Sequence, residues 1–319
     1  MSTTPLLPPP VAKGYRIGIV TVSAPEPAAN PDLFARGVNA LAALGFDPVI
    51  AAHATGRHGY RAGNTADLLD DFHSMIADKT ITAVVCAGGG KNANRLLAGL
   101  DFPRIRQHPK AIVGVSDPSL LLNAITARAG LVTFHGPSVM WDFASEDAPA
   151  ETQDHFTAML AGRPSAGRIA APLTWSRRGA AKGHLVAGCL SSLRCLLGTP
   201  WEPKWDGAIL AIEDAFKSVE LLDQTLTHFG DCGVLDRIAG LIVGETVSCD
   251  PSSGVTVQDM VEDLCSGYRW PLAHGLPYGH TPLKCTLPIG AKVRMDSEGR
   301  QPLTVIGPWT ASRQDGAGL

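Results

Sequence analysis

The chain has 319 residues, an apolar fraction of 45% and a net charge of −3 from 27 basic and 30 acidic side chains. That length suits two domains with ordinary buried cores, and the near balance of charge offers no electrostatic basis for binding nucleic acid or an anionic membrane. The seven cysteines are odd in number and include no Cys-x-x-Cys pair, which fits reduced thiols in a cytoplasmic protein and neither a disulfide framework nor a zinc site.

Residues 1–13 are Pro-rich and read as disordered. They lack the basic start and apolar core of a signal peptide, and no apolar run in the chain approaches a membrane span. Residues 16–23 form the first convincing strand. Residues 32–44 follow as a helix stopped by Gly45, and 46–51 as a second strand. Residues 64–77 carry Leu68, Leu69, Phe72, Met75 and Ile76 at helical spacing. Residues 81–86 make a third strand ending in Gly88-Gly89-Gly90, then a helix with Arg95-Leu96-Leu97; residues 111–115 make the next strand. Uncharged strands alternating with helices imply a parallel sheet covered on both faces. The texture changes after about residue 160. Residues 162–183, rich in Ala, Gly, Pro and Arg, read as a linker or exposed loop. Short strands at 183–186, 208–212 and 240–244, a helix at 219–229 and an antiparallel pair at 291–295 and 303–306 make a mixed second half. The last ten residues read as a loose tail. The expected organisation is a parallel α/β domain over 14–160, a linker over 161–182 and a smaller β-rich domain over 183–310.

Three stretches can carry chemistry. Gly114-Val115-Ser116-Asp117-Pro118 reads as strand, tight turn, helix. This layout suits a nucleophile elbow, although Pro118 stands where the usual second Gly of Gly-x-Ser-x-Gly would be. It equally suits a plain helix start, with Asp117 as cap and Pro118 in the first turn. The triple glycine can expose backbone N–H groups as half of an oxyanion hole or as a phosphate cradle, or it can simply turn the chain. A serine nucleophile needs a base and a group that orients it. Glu213 and Asp214 close an apolar strand, and His280 sits in a Pro/Gly loop, but spacing alone does not choose His280 over His135.

Four blocks occur in order around a fifth: 88–97, 109–117, 130–137, and Gly279-His280 with 286–290, with Ile212-Glu213-Asp214 between the last two. Together they resemble the LD-carboxypeptidase family of serine peptidases, which includes murein tetrapeptide LD-carboxypeptidases and microcin C immunity peptidases. The resemblance runs from about residue 15 to 296. It implies a flavodoxin-like or amidotransferase-like parallel-sheet domain, a smaller β-rich mixed domain and a homodimer. It further implies Ser116 as nucleophile, Glu213 as orienting acid and His280 as general base, with N–H groups of Asp117 and of Gly89 or Gly90 forming the oxyanion hole. No metal or organic cofactor is implied. The expected substrate is a small peptide with a free carboxylate, such as a murein peptide of peptidoglycan recycling, or a peptidyl or aminoacyl nucleotide. Acyl transfer, or ligand binding without catalysis, are the other classes the fold would permit. At the glycine turn the murein branch commonly has Arg-Gly-Gly-Tyr-Gly, whereas Asn92-Ala93-Asn94 is similar to the microcin branch, which makes Asn92 a candidate substrate-binding residue. In the loop before Gly183, Trp175 could stack on a flat group and Arg177 could grip an anion, or both could simply pack and face solvent.

Overall fold

The computed structural model describes residues 4–249 and 254–312. Five short apolar runs form β1 (Arg16–Val20), β2 (Asp47–Ile50), β3 (Ile81–Cys86), β4 (Ala111–Gly114) and β5 (Thr133–His135). All neighbouring pairs among them are parallel, in the order β2-β1-β3-β4-β5. This is the flavodoxin-like order. β4 is buried throughout and β3 nearly so, which is why both read as uncharged runs: each face of the sheet is covered by helices.

The second half supplies β6 (Arg168–Ile169), β7 (Thr174–Arg177), β8 (Ala180–Cys189), β9 (Ile209–Ala215), β10 (Gly240–Val247), β11 (Leu272–Leu276), β12 (Leu287–Ile289), β13 (Lys292–Asp296) and β14 (Leu303–Val305). Eight of these form one sheet, β6-β14-β13-β8-β9-β10-β11-β7. Its centre, β8 to β11, is parallel, with the helices Val219–Asp231 and Val257–Leu264 as crossovers. The expected antiparallel pair near the end is β13 with β14. The ninth strand, β12, leaves this sheet and pairs antiparallel with β5 of the first, with Leu287 opposite His135.

Two expectations change. Residues 161–182 are not bare linker: β6 and β7 lie within them, as the outermost strands of the second sheet. Outer strands can carry exposed polar side chains, and β7 alternates exposed and half-buried residues. The Pro-rich start is also ordered where it is described. The Leu6 N–H donates to the Gly130 carbonyl at 2.8 Å, the Val132 N–H donates to the Leu6 carbonyl at 2.9 Å, and Val11 is buried. Prolines hold an extended chain at little entropic cost, which suits such an arm. Most of the expected tail, 313–319, lies outside the described residues.

Candidate active site

The turns that follow β1, β3, β4 and β5 converge at the carboxyl edge of the first sheet, where open α/β sheets place their ligands. Ser116 lies two residues beyond the end of β4. Its backbone has φ of 66°, in the left-handed region that costs a residue with a Cβ about 1–2 kcal/mol. Gly114 permits the sharp turn, because a Cβ there would lie 2.7 Å from Pro118 Cβ. The helix Pro118–Ala129 then starts at once and is almost wholly buried. Asp117 does not cap it. Its carboxylate turns back instead, accepting from the Asn92 N–H at 2.7 Å, the Ala93 N–H at 2.8 Å and the Ser23 hydroxyl at 2.5 Å. Three turns are thereby tied together behind the serine.

The glycine turn packs against this elbow. A Cβ on Gly89 would sit 2.9 Å from Ser116 Oγ, so no side chain fits there. The Gly89 N–H donates to Glu26 Oε2 at 3.0 Å. The N–H groups of Gly90 and Asp117 make no hydrogen bond among the described residues.

The expected acid and base come from the second half of the chain, Glu213 on β9 and His280 in the loop after β11. Glu213 lies near the end of β9 opposite Cys189 and is 1% exposed. Its Oε2 meets His280 Nδ1 at 2.6 Å. Gly279 makes that approach possible: its φ is +96°, and a Cβ there would lie 2.3 Å from Glu213 Cγ. Burial by itself would lower the His280 pKa, but the Glu213 hydrogen bond and charge outweigh it, and the net shift is upward. The other carboxylate oxygen, Oε1, faces His135 Nε2 at 3.8 Å, and neither atom has another partner. Burial first, then the nearby His280 and Lys284, push the His135 pKa well down, so this ring stays neutral near pH 7.

Ser116 and His280 line one cavity of about 440 Å³ together with Gly89, Gly90, Glu26 and Trp141. No Ser116–His280 hydrogen bond forms in this arrangement; such contacts are commonly long without a ligand. Asp142 and Lys284 form a buried ion pair in the same wall, and Asp142 also accepts from the Ser138 N–H at 2.6 Å and hydroxyl at 2.9 Å. Trp141 and Phe216, exposed by 55% and 73%, stand on the cavity lining as well.

The three expected substrate-binding residues are not in that lining. The Asn92 N–H is engaged by Asp117, and its side-chain oxygen is buried without a partner. Trp175 lies on β7 in register with Ala273 and packs on the core. Arg177 donates to the carbonyls of Trp270 and Cys265 at 3.2 and 3.0 Å and lies over the Trp270 ring, so its guanidinium is used internally. The cavity residues missed from sequence are Glu26, Trp141, Phe216, Asp142 and Lys284. Phe216 had a faint signal, as an aromatic beside the Glu213-Asp214 strand end; the others had none. Among the described residues, no helix is long and apolar enough to cross a membrane.

Comparison with known proteins agrees with this layout. The model of the LD-carboxypeptidase amino-terminal domain matches residues 17–136, and that of the carboxy-terminal domain matches residues 182–295. Fold and matches together define an enzyme of the serine peptidase class. The chain belongs to the LD-carboxypeptidase family. It is 33% identical over 294 residues to a probable murein peptide carboxypeptidase of Bacillus subtilis, covering 91% of each chain. It is 29% identical over 327 residues to the microcin C7 self-immunity protein of Escherichia coli, covering 93% of this chain and 94% of that one. A solved structure of the microcin C7 self-immunity protein in complex with aspartyl sulfamoyl adenosine superposes with a TM-score of 0.90 at 27% identity, over 96% of this chain and 100% of that chain.

Proposed function

We propose that the protein is a serine carboxypeptidase or amidase of small peptides that works through an acyl-enzyme, with Ser116, His280 and Glu213 as its triad. The observation that carries this reading is the 2.6 Å contact between buried Glu213 and His280, on a cavity whose wall also holds the strained Ser116. Ser116 Oγ attacks the scissile carbonyl carbon while His280 Nε2 takes its proton. Glu213 holds Nδ1–H, which fixes the tautomer and stabilises the imidazolium. The tetrahedral oxyanion is received by the free N–H groups of Gly90 and Asp117, since Gly89 gives its own to Glu26. Preorganised donors of this kind are typically worth about 10²–10³ in rate each. The C–N bond then breaks as His280 protonates the leaving amine, and water, activated by the same imidazole, releases the acyl group.

A fluorophosphonate probe should label the native enzyme and leave Ser116→Ala unlabelled. Release of the terminal D-residue from a murein tetrapeptide should be lost in the same variant. Labelling that survives Ser116→Ala would refute the assignment. A second reading, hydrolysis of peptidyl or aminoacyl nucleotides, is favoured by the exposed rings of Trp141 and Phe216 on the cavity, since aromatic stacking on a base is worth about 1–3 kcal/mol. Trp141→Ala should then raise KM for an aminoacyl sulfamoyl nucleoside and leave that for a murein peptide unchanged. We further infer a cytoplasmic homodimer, testable by fractionation and by sedimentation of the native chain.

A further inference from the structure

The cavity beside Ser116 contains a carboxylate that the mechanism does not use. Glu26 opens a single helical turn, Glu26–Ala29, after β1. Its Oε2 is held by the Gly89 N–H at 3.0 Å, and the space for it exists only because residue 88 is glycine: a Cβ on Gly88 would lie 1.8 Å from that oxygen. Glu26 is half-buried, lines the cavity and has no ion-pair partner among the described residues. Its second oxygen, Oε1, has no hydrogen-bond partner there either.

The remaining charges of the lining cancel. Asp142 and Lys284 neutralise each other, and His280 is neutral when it acts as a base. Among the lining residues Glu26 is thus the carboxylate without a cation partner; Glu213 and Asp117, the other carboxylates nearby, are buried outside the lining, behind His280 and Ser116. The peptide that anchors Glu26, Gly88–Gly89, is also the wall against which Ser116 Oγ rests. In a partly dehydrated cavity such a charge attracts a cation and repels an anion far more strongly than it would in water.

We propose that Glu26 is a specificity residue that accepts an ammonium group carried by the substrate close to its scissile carbonyl. Oε2 stays on Gly89 and orients the carboxylate, and Oε1 receives the ammonium. The placement of the scissile carbonyl rests on the reading of Ser116 as nucleophile. Two sources present this chemistry: the free α-ammonium of an aminoacyl group, and the side-chain ammonium of a diamino acid.

Three probes separate them: L-norleucyl-D-alanine, Nα-acetyl-L-lysyl-D-alanine and, with no ammonium, Nα-acetyl-L-norleucyl-D-alanine. Each is titrated by calorimetry into the Ser116→Ala protein, with and without Glu26→Gln. The glutamine oxygen can still accept the Gly89 N–H, so the turn is retained while the charge is lost. At least one ammonium-bearing probe should bind about ten- to hundredfold tighter than the neutral one, the range expected of a charge-assisted hydrogen bond. Glu26→Gln should abolish that preference and leave the neutral probe unchanged, and Glu26→Asp should keep part of it. The proposal is overturned if neither ammonium-bearing probe is preferred, if the preference survives Glu26→Gln, or if all three probes weaken alike, which would make Glu26 a holder of the glycine turn. Failure of the nucleophile reading would appear separately, as native enzyme that fluorophosphonate does not label, because the binding measurement needs no turnover.

Discussion

Replacing Ser116 by glycine and by alanine removes the hydroxyl in both cases, yet the two variants should differ in stability. The φ of 66° costs a residue with a Cβ about 1–2 kcal/mol relative to glycine. Glycine in turn loses more freedom on folding, which takes back about 0.4–1 kcal/mol. The glycine variant should therefore be the more stable by about 0.5–1 kcal/mol. Spread over the unfolding entropy of the whole chain this moves the melting temperature by only about 1 °C, so a local measurement is preferable. Hydrogen exchange in a fragment spanning residues 111–125 should be about two- to fivefold slower in Ser116→Gly than in Ser116→Ala, if the elbow opens as a local unit. Equal protection, or better protection in the alanine variant, would show that the serine is unstrained and that the turn merely begins a helix.

Glu213→Gln should lower kcat/KM by about 10³–10⁴ and move its acid limb to lower pH, because the carboxylate that holds the His280 pKa up is gone; an unmoved limb would mean that another group titrates. The same raised pKa has the opposite sense for stability. Its contribution is present below the unfolded value of 6.5 and is lost as pH rises through the folded value. His135, whose pKa is pushed down, stays neutral in the folded chain while the unfolded chain takes up a proton, so it costs stability as pH falls below 6.5. His135→Phe, which keeps a ring against Tyr278, should flatten that acid loss in a series of melts from pH 7 to 4.5, and an unchanged slope would refute the assignment. Lys284→Met strands a buried Asp142 carboxylate and should cost about 3–5 kcal/mol, whereas adding Asp142→Asn should recover most of it; a double variant no better than the single would deny the coupling.

The strands of the first sheet were legible because both faces are covered. An apolar run such as residues 81–86 needs no alternation to declare itself. β6 and β7 were not, since an outer strand rich in Thr, Ser and Arg shares the composition of a loop. Ser116, Glu213 and His280 were nominated by the family resemblance, and the proposed function keeps them. Residue types alone left His135 in contention, and in the structure it lies on the same carboxylate, so the ambiguity reflected a real proximity. Glu26 was illegible for a different reason. It occupies a Pro-rich turn with no periodicity, and its meaning arises only when Gly88, far along the chain, withholds a side chain. Trp175 and Arg177 could be read either way, because an aromatic and a cation in an apparent loop suit binding or packing, and only the strand pairing with β11 turns both inward.

β12 carries a last consequence. This strand follows the His280 loop and is laddered onto β5, with Leu287 opposite His135. The loop of His280, the proposed base, is therefore indexed to the sheet that carries Ser116 by backbone hydrogen bonds. A ladder makes a poor hinge. Spreading the two halves to admit a bulky polymer would tear these pairings and dismantle the base in the same motion. On the proposed function, this fixed pairing leads us to expect cleavage of short soluble peptides and none of an intact polymeric wall, which a comparison of the two as substrates would check.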